Sequence, residues 1–236
     1  MQAASRTSWA LGSNVSMTAM HSRRDVAETA LGAAFDALEQ VEALMSIYRP
    51  QSQLCRLNRG GVIDDPHPWL VDVLRRAGAM SRRSGGAFDC TVQPLWEVCA
   101  QARRDGRRPD QSEIDAAREK IDWRRVEISP RRIQLRGAGT QVTLNGIAQG
   151  YATDRAMAAL RTHGVSHALV DAGEIGTLGE RSPRRPWTVG IQHPRRPEAY
   201  VSLAKLAGRC LATSGDYATS FSDDRSPCQP AFRKRV

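Results

Sequence analysis

Residues 143–179, TLNGIAQGYATDRAMAALRTHGVSHALVDAGEIGTLG, gather groups that suit a phosphorylated ligand. Gly146 and Gly150 bracket Ile147-Ala148-Gln149, a short turn in which backbone N–H groups and a helix N-terminus can face an anion. Asp171, Gly173 and Glu174 then fall where a strand ends, so acidic acceptors meet those donors at one edge. The turn lacks the G-x-G-x-x-G spacing of a dinucleotide fingerprint and the G-K-[ST] of a P-loop. Two readings stay open for it: a backbone–phosphate contact, or a tight strand-to-helix turn with no ligand. Asp171 and Glu174 are metal or ribose acceptors, or loop charges. Asp154 reads as a charge complementing the helix dipole.

A second group precedes these. Gly86-Ala87-Phe88-Asp89 delivers an aromatic ring and a carboxylate from a glycine pair. Asp89 either meets a ligand or caps the following helix, with Phe88 in the core. Tyr48 is either a core aromatic or a stacking ring. The five histidines, His21, His67, His163, His167 and His193, show no metal-ligand spacing. Ser214 has no nucleophile-elbow context. The five cysteines are odd in number, widely spaced and without a C-x-x-C, which predicts free thiols.

The elements that must hold these residues follow from periodicity. Residues 8–20 read as a strand interrupted at Gly12-Ser13-Asn14. Asp25 is expected to cap a helix of about five turns carrying Ala27, Leu31, Ala34, Leu38, Val41 and Met45 at steps of four and three. The break at Arg49-Pro50 ends it. Pro68 opens a helix with Leu70, Leu74 and Ala77 on one face, ending at Ser84-Gly85-Gly86. Leu95, Val98, Cys99 and Ala102 mark a short helix, and Ser112 is expected to cap another carrying Ile114, Ala117 and Ile121. Val126 with Ile128, Ile133 with Leu135, and Val142 with Leu144 predict a three-stranded antiparallel meander. A helix over Ala152, Ala156, Ala159 and Leu160 stops at Gly164, and Ala168 to Val170 is the next strand. Two further strands run from Trp187 to Ile191 and from Ala199 to Leu203. Leu211 begins a strand that runs into the polar turn Thr213 to Tyr217. Beyond Phe221 periodicity is lost, and disorder is expected.

The chain has 236 residues and is 41% hydrophobic, enough for a packed core. Its 34 Lys and Arg against 25 Asp and Glu give a net charge of +9. The excess is spread as arginine pairs such as Arg23-Arg24, Arg82-Arg83 and Arg184-Arg185, not as one block. That distribution predicts a solvated basic surface and no nucleic-acid footprint, with some steering of phosphate-bearing small ligands. No transmembrane span is visible, and the start, MQAASRTSWALGSNVSM, has no apolar run long enough for a signal peptide.

Five blocks in order resemble the ApbE-type flavin transferases, the FAD:protein FMN transferases. They are Leu11-Gly12-Ser13, then Met45-Ser46-Ile47-Tyr48-Arg49-Pro50 with Ser52 and Leu57-Asn58, then Gly86-Ala87-Phe88-Asp89 with Thr91. The fourth is Gly146-Ile147-Ala148-Gln149-Gly150-Tyr151-Ala152 with Asp154, and the fifth Thr213-Ser214-Gly215-Asp216-Tyr217. Gln149 in the glycine turn and Ala172-Gly173-Glu174-Ile175 are closest to the NosX-like branch. The resemblance implies an α+β fold of mixed or antiparallel sheets packed with helices, related to the T-fold architecture, over residues 8–222. It also implies FAD and Mg²⁺ as cofactors, and a target flavoprotein whose Thr or Ser hydroxyl receives FMN as AMP leaves.

Carried over, Leu11 and Tyr48 would border the flavin or adenine. Ala87, Phe88 and Asp89 would hold FAD, Thr143 and Gln149 would lie beside it, and Gly146 would offer its carbonyl to Mg²⁺. Three residues depart from the family: Leu11 stands for Met, Thr143 for an acidic residue and Gln149 for Lys. The last two each remove a charge, so weakened FAD or metal affinity is expected. The family continues with a histidine-containing segment and an Ala-Asp-x-x-x-Thr block, and neither is visible from Ser226 onward. The resemblance therefore implies a C-terminal part missing from about Asp224, including the expected catalytic histidine, with residues 223–236 a disordered non-family tail. Impaired transfer is the expectation. The alternative is a non-catalytic flavin-binding accessory protein for assembly of a respiratory metalloenzyme. Family members are usually periplasmic or membrane-associated, whereas the sequence as written reads as cytoplasmic.

Overall fold

The computed structural model describes residues 1–193 and 195–213. In chain order the strands and helices are β1 (Gln2–Ala10), β2 (Ser13–His21), α1 (Arg24–Met45), α2 (Gln53–Gly60), β3 (Val62–Asp64) and α3 (Pro68–Arg83). Next come α4 (Gln93–Arg104), α5 (Gln111–Arg118), a 3-10 turn at Trp123–Arg125, β4 (Val126–Ile128), β5 (Arg132–Leu135) and α6 (Ala148–Thr162). The last are β6 (His167–Asp171), β7 (Ile175–Leu178), β8 (Trp187–His193), β9 (Arg196–Leu206) and β10 (Cys210–Leu211). The fold is α+β, and all strand pairs among the described residues are antiparallel. The chain divides into two units. Among the described residues one holds Met1–Glu42 with the chain from Ala148 onward, the other Ala43–Ile147.

The first unit is built on a five-stranded sheet in the order β1-β2-β6-β7-β10. Val15, Met17 and Ala19 alternate on β2 and are all buried. Two of its strands form a hairpin where the sequence predicts one interrupted strand. Ala10 pairs with Ser13, so the loop is Leu11-Gly12. Both residues have positive φ, 53° and 74°, as a two-residue I′ turn with right-handed strand twist demands. The Leu11 N–H donates to Glu42 Oε2 at 3.1 Å and ties this strained corner to α1. The predicted stripe of α1 is buried, from Ala27 to Met45. Asp25 does not cap it: it lies inside the first turn and pairs with Arg23 at the surface. Asp154 is likewise exposed and beyond the first turn of α6.

Helix α6 buries Tyr151, Ala152, Ala156, Met157 and Leu160, and lies on β6 and β7. It comes so close that a Cβ on Gly176 would sit 2.6 Å from Met157 Sδ and from Thr153 Cγ2. The helix ends as predicted at Gly164, whose φ of +78° suits glycine. Strands β8 and β9 form a separate two-stranded hairpin at the predicted positions.

The second unit holds a three-stranded sheet in the order β3-β5-β4 and helices α2 to α5. The predicted third strand of the meander is absent. Its place beside β5 is taken by β3, and Val142 and Leu144 are buried in irregular backbone. The reason is a side-chain substitute for a strand partner. Asn58 Nδ2 donates to the Val142 carbonyl, and the Val142 N–H donates to Asn58 Oδ1, both at 2.8 Å. Helix α2 was not expected from the sequence. Ser52 caps it by accepting the Cys55 N–H, which lets the chain restart two residues after Pro50. Helix α5 is capped by Asp110, not Ser112, in a reciprocal box with Glu113. The polar turn expected at 214–217 and the tail at 223–236 lie outside the described residues.

Candidate functional site

In the second unit the two glycine-bearing blocks meet. Loop 84–91 folds on short local bonds. The Gly86 N–H donates to the Ser81 carbonyl at 2.8 Å, the Ala87 N–H to the Ser84 carbonyl at 3.1 Å, and the Phe88 N–H to Ser84 Oγ at 3.0 Å. Gly85 and Gly86 both have positive φ, which only glycine adopts without strain. The loop is then joined to the 143–147 segment by the Thr143 N–H, which donates to the Cys90 carbonyl at 2.8 Å. Phe88 lies against Gly146, where a Cβ would be 3.3 Å from Phe88 Cε2. Gly146 is exposed, so an aromatic edge and bare backbone share one accessible patch. That patch can take the face of a planar ring beside a polar backbone.

The Asp89 carboxylate accepts three protein donors. Its Oδ1 accepts the Thr91 N–H at 2.8 Å and the Thr91 hydroxyl at 2.6 Å, and its Oδ2 accepts the Trp123 N–H at 3.1 Å. The carboxylate thus folds its own turn and anchors the 3-10 turn, while the α4 N-cap, Val92, makes no side-chain cap. Ala87 is exposed beside it. Cys90 is buried, and burial with the Asp89 charge pushes its thiol up to about 12, so it stays protonated. Tyr48 is 70% exposed, which excludes the core reading; its ring meets Trp96 edge-on at 6.4 Å between centroids. Thr143 is half-buried and its hydroxyl accepts the Asn145 N–H at 3.3 Å, capping the start of the glycine turn.

The first unit carries Leu11 and Gln149. Leu11 occupies the hairpin corner described above. Gln149 stands in the first turn of α6, and its side-chain amide covers Gly173: a Cβ there would be 2.7 Å from Nε2. The Gly173 turn between β6 and β7 has φ of +89°. It carries the two acidic candidates. Burial raises the Asp171 carboxyl above its ordinary value, partly offset by the Gly173 N–H. Burial also raises Glu174, against a bond from the Thr213 N–H. His167 is structural: its Nδ1 lies 2.7 Å from the Glu180 carbonyl oxygen and 3.1 Å from the Glu180 backbone nitrogen.

Asn58 and Ser84 were not singled out as site builders, although each fixes a loop that carries candidates. Asn58 stands in the second matched block, and its paired donor and acceptor are the signal for such a role. Among the described residues no three His, Cys, Asp or Glu side chains gather to hold a metal ion. Gly146 has only backbone oxygen to give, and segment 143–149 contains no carboxylate. The described residues therefore do not make a magnesium site by themselves. The Phe88–Gly146 patch does fit a planar cofactor.

An antiparallel α+β protein with an aromatic-flanked glycine turn is the class these features define. The chain belongs to the ApbE family, which it matches over residues 11–228. It is 30% identical over 235 residues to the FAD:protein FMN transferase of Treponema pallidum, covering 87% of this chain and 62% of that protein. The chain thus spans less than two thirds of that relative's length. The crystal structure of the apo form of the Pseudomonas stutzeri flavinyl transferase ApbE superposes with a TM-score of 0.80 at 28% identity, over 94% of this chain and 71% of that one. The ApbE protein of Thermotoga maritima shares the fold, with a TM-score of 0.85 at 24% identity, over 94% and 74% of the two chains. No helix among the described residues is long and apolar enough to cross a membrane.

Proposed function

We propose that the chain acts in FMN transfer from FAD to a Thr or Ser hydroxyl of a target flavoprotein, with release of AMP. The observation that carries this reading is the packing of Phe88 over exposed Gly146, with Thr143 bonded to the Cys90 carbonyl. Two sequence blocks shared with the family are thereby joined in one patch. In the reaction the acceptor oxygen bonds to the FMN-side phosphorus of the pyrophosphate. The bond from that phosphorus to the bridging oxygen breaks, AMP departs with that oxygen, and the hydroxyl proton passes to a base. Phe88 and Ala87 hold FAD, Asp89 contributes through the loop it folds, and Leu11 and Tyr48 border its rings. Thr143 and Gln149 lie beside the cofactor. Both are neutral where the family carries charge, so affinity for FAD is low. Gly146 would offer Mg²⁺ its backbone carbonyl alone, and the described residues add no carboxylate beside it. Gln149 and Ala172-Gly173-Glu174-Ile175 support a place in the NosX-like branch.

Titration of FAD into the protein, followed by flavin fluorescence, tests the site. Saturable binding is expected, weakened about tenfold in Gly146→Ala, because the added methyl pushes Phe88 aside; tenfold is about 1.4 kcal/mol. Absence of saturable binding, or equal affinity in the variant, would remove the patch from the account. The neutral Thr143 and Gln149 also favour a second reading, a flavin-binding accessory protein without transfer. FAD bound with no AMP released would select it.

A further inference from the structure

The second unit contains a cavity of about 520 Å³ that the flavin reading does not use. Leu74, Cys90, Trp123 and three arginines, Arg75, Arg82 and Arg124, wall it. The guanidinium groups of Arg82 and Arg124 both lie over the Trp123 ring, 5.6 and 4.7 Å from its centroid. Trp123 Nε1 is buried and has no hydrogen-bond acceptor among the described residues. A buried donor left unpaired is destabilising until a ligand or water accepts from it.

The charge around the cavity is as unbalanced as the hydrogen bonding. The side chains of Arg75 and Arg82 make no hydrogen bond or ion pair among the described residues. Arg124 meets Asp122 at 3.3 Å, where both are partly open to water. The nearby Asp89 carboxylate is engaged by Thr91 and by the Trp123 backbone. Two cations on one indole, a third beside them and an orphan N–H lack a common partner, an oxyanion.

We propose that this cavity is a binding site for a phosphate-bearing small molecule. Arg75, Arg82 and Arg124 contact the phosphate oxygens, and Trp123 Nε1–H donates to one of them once Arg82 turns from the ring toward the ligand. The volume leaves room for an organic group beside the phosphate, within the usual range of small-ligand pockets. Guanidinium forks match tetrahedral oxyanions better than point-charge ammonium groups do.

Inorganic phosphate is the probe, titrated into the intact protein by calorimetry against chloride of equal ionic strength. Saturable one-site binding is expected, weakened at least tenfold in the double variant R75Q/R82Q. Neither arginine supports the fold by a polar contact, so the double variant should melt in chloride near the wild type. Trp123→Phe keeps an aromatic ring beside Arg82 and Arg124 and removes the Nε1–H donor together with the pyrrole part of the indole. It should bind phosphate several-fold more weakly. Failure of phosphate to saturate, or equal affinity in wild type and R75Q/R82Q, would overturn the site. FAD also carries phosphate, so equal FAD affinity in R75Q/R82Q and the wild type is the expected result that separates this cavity from the Phe88–Gly146 patch.

Discussion

Asn58 shows how much one side chain can hold in this protein. Its amide satisfies the N–H and C=O of buried Val142, 84 positions along the chain, and so fixes the backbone that leads to Thr143 and Gly146. Asn58→Ala leaves both backbone groups without partners and should destabilise the protein by about 2–4 kcal/mol, read from urea unfolding. A loss below about half a kcal/mol would show that water replaces the amide freely. Asp171 supplies a test of sign. Its carboxyl is raised by burial, so the folded chain keeps a proton that the unfolded chain releases just above the ordinary carboxylate value. Stability therefore falls as pH rises from that value through the raised one, and stays lower beyond. Asp171→Asn keeps an acceptor for the Gly173 N–H and removes this loss. Across thermal melts from about pH 4 to pH 7 the variant should gain on the wild type as pH increases. Parallel curves would contradict the assignment.

At the scale of elements, the β1–β2 hairpin combines strain with position. Leu11 has φ of 53°, a left-handed conformation that costs a residue with a side chain about 1–2 kcal/mol. Leu11→Gly should raise the thermal midpoint by a few degrees and weaken FAD binding at the same time, the pattern expected where a strained residue is kept for its side chain. A variant that is both more stable and equally tight for FAD would separate Leu11 from the cofactor. Elements with local causes were legible in the sequence. The α1 stripe, Pro68 at the start of α3 and Gly164 at the end of α6 are written in neighbouring residues. Elements decided by distant partners were not. Val142 and Leu144 alternate like a strand, but Asn58 meets them where a strand would. The hairpin corner lies one position before the glycine-based turn expected there, because the I′ loop takes Leu11 as well as Gly12. Gly146 was legible as a turn; that Phe88 would cover it was not, since nothing local to either residue records the contact.

The whole molecule is a strongly basic chain of net charge +9 folded into two units, each with its own sheet. The first carries Leu11 and Gln149, and the second carries Tyr48, Ala87, Phe88, Asp89, Thr143 and Gly146. The spread of arginine attracts phosphorylated ligands at low ionic strength, and that attraction should fade as salt screens it. FAD affinity should therefore fall several-fold between about 20 and 500 mM salt, and salt-independent binding would make the charge irrelevant. Family membership and the Phe88–Gly146 patch are the grounds for the flavin transfer proposed above. The most direct measurement incubates the intact protein with FAD, Mg²⁺ and an acceptor protein carrying a threonine target. Fluorescence in the denatured acceptor and AMP in solution are then followed together. Covalent flavin on the acceptor and AMP in equal amount are expected, both formed slowly because Thr143 and Gln149 bring no charge. FAD bound by the protein with neither product formed would contradict the proposed transfer.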